Sequence, residues 1–209
     1  MTFGRVRVKI CGVRTEEIAQ VAADAGADAI GFVLVAGSPR SIDAPLARAI
    51  ADTLPPWVAP VAVVADMPGA AIVDAWPSGW VQLHGHEHDV AGELANRAVI
   101  KVLTAASIVD GADELLRWDD HPGARALLVD APRAGSGEAF DLAPLARIRD
   151  RLRKPLILAG GLTARNVGDA IRAVRPWAVD VSSGVESSRG VKDVGAIRDF
   201  CRAVRDATA

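Results

Sequence analysis

The sequence predicts a closed (β/α)8 barrel. Three observations carry that expectation. Eight short apolar, β-branched runs alternate with eight stretches of helical periodicity. The runs follow one another at roughly 20 to 30 residues, the size of a βα unit. No linker, low-complexity tract or charge block interrupts the series. An open doubly wound sheet would have fewer strands and a glycine-rich fingerprint after the first. Eight equal units favour closure, in a barrel more compact than the roughly 250 residues typical of the fold. One domain over residues 1–209 is expected.

In order, the strand runs are VRVKIC, AIGFVLV, APVAVVA, WVQLHG, AVIKVLT, ARALLVD, PLILAGG and AVDVSSG. They are apolar on both faces, as strands must be when helices cover one side and a packed interior fills the other. Between them lie TEEIAQVAADAG, APLARAIADTL, PGAAIVDAW, HDVAGELANRA, SIVDGADELLRW, LAPLARIRDRL, ARNVGDAIRAV and VGAIRDFCRAVRDA. Helix punctuation is in place: Thr15 precedes Glu16 and Glu17 at the first helix start, and Gly26 follows its end. Cys201 sits between Ile197 and Val204 on the apolar stripe of the last helix, where packing is the expected role.

Composition narrows the function classes. The chain is half hydrophobic and 24% charged with a formal net charge of -2, which gives no basic surface for nucleic acid. No segment approaches the ~20 apolar residues of a membrane span, and the first residues lack a signal-peptide layout. A cytoplasmic enzyme with a small-molecule partner is the expectation. The two cysteines, Cys11 and Cys201, lie at opposite ends of the chain with no metal or disulfide spacing.

A barrel places its chemistry at the C-terminal ends of its strands. Cys11 ends the first run, beside Gly12. Strand parity puts Lys9 on the same face, with Asp180 of the eighth strand as its partner. Lys9 then forms a structural ion pair, and its charge favours the thiolate of Cys11, lowering the thiol pKa from about 8.5. Asp130 ends the fully apolar run ALLVD, where desolvation keeps a carboxyl protonated and able to act as a general acid. Thiolate and carboxylic acid together suit proton transfer on a sugar phosphate. Arg40, in SPR, offers a planar fork for a carboxylate. Gln82, His84 and Asp180 stand at the same mouth and are expected to contact substrate. Gly160 and Gly161, with Ser183 and Gly184, provide backbone N–H groups for a phosphate in the two loops where barrels hold one. The stretch HGHEH does not assemble three or four ligands, so neither metal nor cofactor is expected.

This ordered set resembles the phosphoribosylanthranilate isomerase family of tryptophan biosynthesis. The likeness is carried by VKICGV, GFVLVAGSPRSI, VQLHGHE, LLVDAP with GSGEAFDL, LAGGLTARNV and VDVSSGVESSRGVKD. It implies a metal-free barrel, monomeric or homodimeric, that performs an Amadori rearrangement. The family's base falls on Cys11, its acid on Asp130 and its anthranilate-carboxylate arginine on Arg40. The phosphate backbone falls on the AGG glycines, Ser183 and Gly184. The chain departs from the family pattern in three places: AGSG in place of GGTG after strand six, Leu142 in place of tryptophan, and AVVAD at the end of strand three.

Two enzymatic rivals lack these features. A Schiff-base lyase would use Lys101 in VIKVLT, and a relaxed-specificity isomerase would carry twin phosphate loops in its two halves. A catalytically dead phosphosugar-binding regulator would have lost its acid or base, and both are present.

Overall fold

Eight parallel strands close on themselves in chain order: β1 (Arg7–Cys11), β2 (Ala29–Val33), β3 (Ala59–Val64), β4 (Trp80–Leu83), β5 (Ala98–Thr104), β6 (Ala126–Asp130), β7 (Leu156–Ala159) and β8 (Ala178–Val181). The computed structural model describes residues 4–85, 88–94, 97–104, 108, 112–130 and 142–208. The helices among these residues are α1 (Glu16–Ala25), α2 (Ala44–Ala51), α3 (Gly69–Ala75), α4 (His88–Glu93), α5 (Asp113–Asp120), α6 (Ala143–Arg149), α7 (Val167–Val174) and α8 (Val194–Thr208). Each overlaps a stretch whose periodicity predicts it. None of them is long and apolar enough to cross a membrane.

Local signals account for where elements begin and end. The Thr15 hydroxyl accepts the Ile18 N–H at 3.3 Å, satisfying one orphan donor of α1, and Gly26 ends that helix at φ 100°. Asp43 does the same for α2, accepting from Leu46 N at 2.8 Å. Strand parity then sorts the apolar residues. Val8, Ile10, Val99 and Leu103 pack outward against the helices, in one continuous layer with Phe200 and Cys201 of α8. Val61, Ile100, Leu128 and Ile157 point inward and fill the lower barrel. The interior of the lower barrel is therefore a packed plug with a site above it.

Lys101 follows the outward parity. Its ammonium donates to the Gly85 carbonyl and lies 5.5 Å from the Trp118 ring centroid, so it serves the helix layer and is absent from the strand-end cavity. That position removes the Schiff-base reading. The sequence reading also missed one element. After β8 comes a 3-10 turn (Ser183–Val185), then a small antiparallel hairpin, β9 (Glu186–Ser188) with β10 (Val191–Lys192). Strands of three and two residues are too short for an alternating pattern to register.

Cys201 is buried at 1% exposure, and burial pushes its thiol up to about 11. Cys201→Ser places a hydroxyl in that apolar layer, at a cost of about 1–3 kcal/mol. Thermal denaturation should show Tm lowered by roughly 2–10 °C, with turnover of the folded variant near normal. An unchanged Tm would mean the layer accommodates a polar group there.

Candidate active site

The C-terminal strand ends surround a cavity of about 620 Å³. Every residue that sequence reasoning assigns to the site lines it. Cys11 and Asp130 enter from the last positions of β1 and β6, and Arg40 from the loop after β2. Gln82 lies on β4 with His84 one residue beyond its end, while Asp180 lies on β8. Gly160, Gly161, Ser183 and Gly184 form the wall after β7 and β8. Part of the loop after strand six, carrying the AGSG departure, lies outside the described residues, as does His86.

Cys11 owes its environment to the seam where the barrel closes. Lys9 and Asp180 are register neighbours across β1 and β8, and their side chains meet at 2.8 Å, both buried. Burial alone would push the Lys9 ammonium down, but Asp180 and Cys11 outweigh it, and Lys9 remains firmly cationic. On the other flank, Cys11 pairs with Gly31 of β2. A Cβ at Gly31 would stand 2.9 Å from the Cys11 sulfur and 3.1 Å from the Lys9 nitrogen, so glycine is what lets both groups turn inward. The Ser182 hydroxyl donates to the Cys11 carbonyl at 3.1 Å and ties the end of β1 to the end of β8.

The expectation of a lowered thiol pKa is corrected. Burial pushes Cys11 upward more than the Lys9 charge pulls it down, and Asp180 adds to the rise. The attraction of Lys9 for the thiolate is present, with a smaller contribution from Lys192, but desolvation of the buried sulfur wins. At neutral pH the resting group is therefore the thiol, and its thiolate, when formed, is a stronger base than an ordinary one.

Arg40 is held more tightly than a loop arginine. Its Nε donates to Glu186 Oε1 at 2.7 Å and its Nη2 to Glu186 Oε2 at 2.8 Å, a two-point pair with the first residue of the unpredicted hairpin. Lys192 joins from the other hairpin strand, donating to Glu186 Oε1 at 2.8 Å and to the Ser182 carbonyl at 2.9 Å. Burial would raise the Glu186 carboxyl, yet the bonds from Arg40, Lys192 and Gly190 N–H hold it at about 2. Burial in turn lowers Lys192, against the pull of Glu186. Sequence reasoning placed Ser182 among the strand-end candidates but missed Glu186 and Lys192. The usable signal was two opposite charges flanking the turn residues SSRG, which a hairpin brings side by side.

The remaining groups complete the lining. Gln82 is 3% exposed, and its amide Oε1 is a buried acceptor with no partner among the described residues. Gly160 and Gly161 adopt φ of 92° and 60°, and a Cβ at Gly184 would come 1.8 Å from the Leu162 carbonyl oxygen. Positive φ makes glycine the fitting residue at 160 and 161, and the close approach of the Leu162 backbone does so at 184. Among the described residues no group of three His, Cys, Asp or Glu side chains could hold a metal ion.

Comparison with known proteins agrees with this geometry. The sequence model of the family described as N-(5'phosphoribosyl)anthranilate (PRA) isomerase matches residues 8–203. An N-(5'-phosphoribosyl)anthranilate isomerase of Pseudomonas putida is 46% identical over 98% of this chain and 100% of its own. The phosphoribosyl anthranilate isomerase of Thermotoga maritima superposes with a TM-score of 0.87 at 37% identity, over 96% of this chain and 99% of that one. A phosphoribosyl anthranilate isomerase crystallised with reduced 1-(o-carboxyphenylamino)-1-deoxyribulose 5-phosphate gives a TM-score of 0.86 at 37% identity, over the same shares. Sequence and fold thus agree over nearly the full length, and the chain belongs to the N-(5'-phosphoribosyl)anthranilate isomerase family.

Proposed function

We propose that the chain converts N-(5'-phosphoribosyl)anthranilate to 1-(2-carboxyphenylamino)-1-deoxyribulose 5-phosphate, a step of tryptophan biosynthesis, with Cys11 as general base and Asp130 as general acid. The observation that carries this reading is the meeting of Cys11, Asp130 and Arg40 in one cavity, from three separate strand ends. A small phosphosugar is then the chain's partner, and the cytoplasm its compartment.

Asp130 gives its proton to the furanose ring oxygen, the bond from that oxygen to the anomeric carbon breaks, and an iminium forms. Cys11 thiolate removes the proton from the adjacent carbon, and the electron pair moves in to give the enolamine. Tautomerisation then yields the aminoketone. The acid ends deprotonated and the base protonated, so the pair must exchange a proton before the next turnover. Arg40 meets the aryl carboxylate. Backbone N–H groups of Gly160, Gly161, Ser183 and Gly184, all in the cavity wall, take the phosphate. The unpartnered Gln82 oxygen accepts from a sugar hydroxyl, which relieves the cost of burying it unpaired.

Replacing Cys11 by serine keeps the shape and removes the base. Activity of the folded variant should fall by about 10²- to 10⁴-fold, the usual size of a general base's contribution. Wild-type turnover in that variant would sink the assignment.

The pH profile tests the pair. The active form needs Cys11 deprotonated and Asp130 protonated, so activity should follow a bell whose limbs belong to the coupled pair. Burial raises the Cys11 pKa, so the thiolate fraction grows with pH and is still small at neutrality. Asp130→Asn removes the acid and leaves only the base to titrate. Its residual rate should climb above the ordinary thiol range of about 8.5 with no descending limb. A nearly wild-type bell in Asp130→Asn would transfer the acid's role elsewhere.

Arg40→Ala should raise KM for the carboxylated substrate far more than it lowers kcat, and lysine there should rescue only in part because it lacks the fork. Steady-state kinetics with an unchanged KM would count against the carboxylate contact.

A further inference from the structure

We propose that Glu186 is a positioning residue for substrate recognition: it occupies the side-on edge of the Arg40 guanidinium and so presents the end-on edge to the substrate's aryl carboxylate. This rests on the reading that Arg40 meets that carboxylate.

The hydrogen-bond count supports it. A guanidinium carries five N–H donors. Glu186 engages Nε and one N–H of Nη2. The Nη1 pair and the second N–H of Nη2 form the other edge, which suits a second carboxylate. Glu186 itself has no capacity left for substrate. Its two oxygens already take Arg40 Nε, Arg40 Nη2, Lys192 Nζ and Gly190 N–H, which uses the roughly four lone-pair sites of a carboxylate.

The arginine's stem is located as firmly as its head. Gly12 adopts φ 80°, and a Cβ there would stand 2.7 Å from Arg40 Cδ, so the stem lies directly on the end of β1. Gly190 adopts φ 83°, and a Cβ there would come 2.4 Å from the Pro39 carbonyl oxygen. The hairpin turn thus presses on the residue before Arg40 while the hairpin strand grips its fork. Arg40, Lys192 and Glu186 together carry one net positive charge, which one aryl carboxylate would balance.

Charge and geometry predict opposite signs, and that makes the proposal testable. Glu186→Gln raises the local net charge by one, and it removes a competitor for the fork. If attraction or competition ruled, the variant would bind the carboxylated substrate more tightly. If positioning rules, KM for phosphoribosylanthranilate should rise about tenfold, the loss of roughly one charge-assisted hydrogen bond, with kcat within about threefold of wild type. Kinetics should be measured for wild type, Glu186→Gln, Glu186→Asp, Arg40→Ala and the Arg40→Ala/Glu186→Gln double variant. Each is tested with phosphoribosylanthranilate and with phosphoribosylaniline, which lacks the carboxylate.

The expected pattern has four parts. Glu186→Gln is silent towards the aniline substrate. Glu186→Asp, which keeps the charge but draws the fork back, also raises KM. The double variant is no worse than Arg40→Ala. Arg40→Ala alone raises KM for the carboxylated substrate only. If Arg40→Ala raises that KM while Glu186→Gln lowers it or leaves it unchanged, the positioning role is overturned and the carboxylate contact stands. Equal KM increases for both substrates in Glu186→Gln would make the residue merely structural and overturn the proposal. An Arg40→Ala variant with unchanged KM overturns the carboxylate contact itself, and the proposal with it.

Discussion

The seam between β8 and β1 is the constraint on which the site depends. Closing the barrel there sets Lys9 against Asp180 at 2.8 Å, and neither charge is tolerable in that interior without the other. From that pair upward, everything takes its place by strand alternation. Cys11 stands two residues above Lys9 on the same face, and Asp180 is followed within two residues by Ser182, which holds the Cys11 carbonyl. Losing one partner would leave an uncompensated charge, a penalty of about 3–5 kcal/mol in such settings. It would also remove the electrostatic balance around the sulfur.

That balance is a contest, and its outcome has chemical meaning. Lys9 and Lys192 pull the thiol towards thiolate, while enclosure and Asp180 push it back, and enclosure prevails. A base of this kind is scarce at neutral pH but strong when present. The second charge cluster follows the opposite logic. Glu186 is also enclosed, yet four donors reach its oxygens and keep it ionised far below the ordinary carboxylate range. The two enclosed acids are thus shifted in opposite directions from their ordinary values. The difference lies in how many donors meet each.

Much of this was legible in the residues. Regular alternation of apolar runs and helical stretches carried the barrel, and strand ends carried Cys11, Asp130, Gln82 and the glycine loops. Strand parity alone pairs Lys9 with Asp180. What failed to show was anything that depends on three-dimensional enclosure. The neighbour Lys9 was visible and its effect on Cys11 correctly signed, but the desolvation that outweighs it comes from groups spread over the barrel mouth. The hairpin of β9 and β10 was invisible because five strand residues hold no periodicity. Glu186, and with it the two-point hold on Arg40, went unseen for the same reason.

The contacts that tune the site are also among the most distant in sequence. Lys9 and Asp180 are 171 positions apart, and Arg40 and Glu186 are 146. A ribosome that has delivered the first 150 residues has already released Cys11, Arg40 and Asp130, but neither Asp180 nor Glu186. The reactive groups therefore exist before the groups that discipline them. Forming such long-range pairs is a late and slow event in a chain of this topology. Competence is thus acquired only when the final βα unit docks, and a chain cut short before that unit keeps its Cys11 sulfur but not the surroundings that govern it.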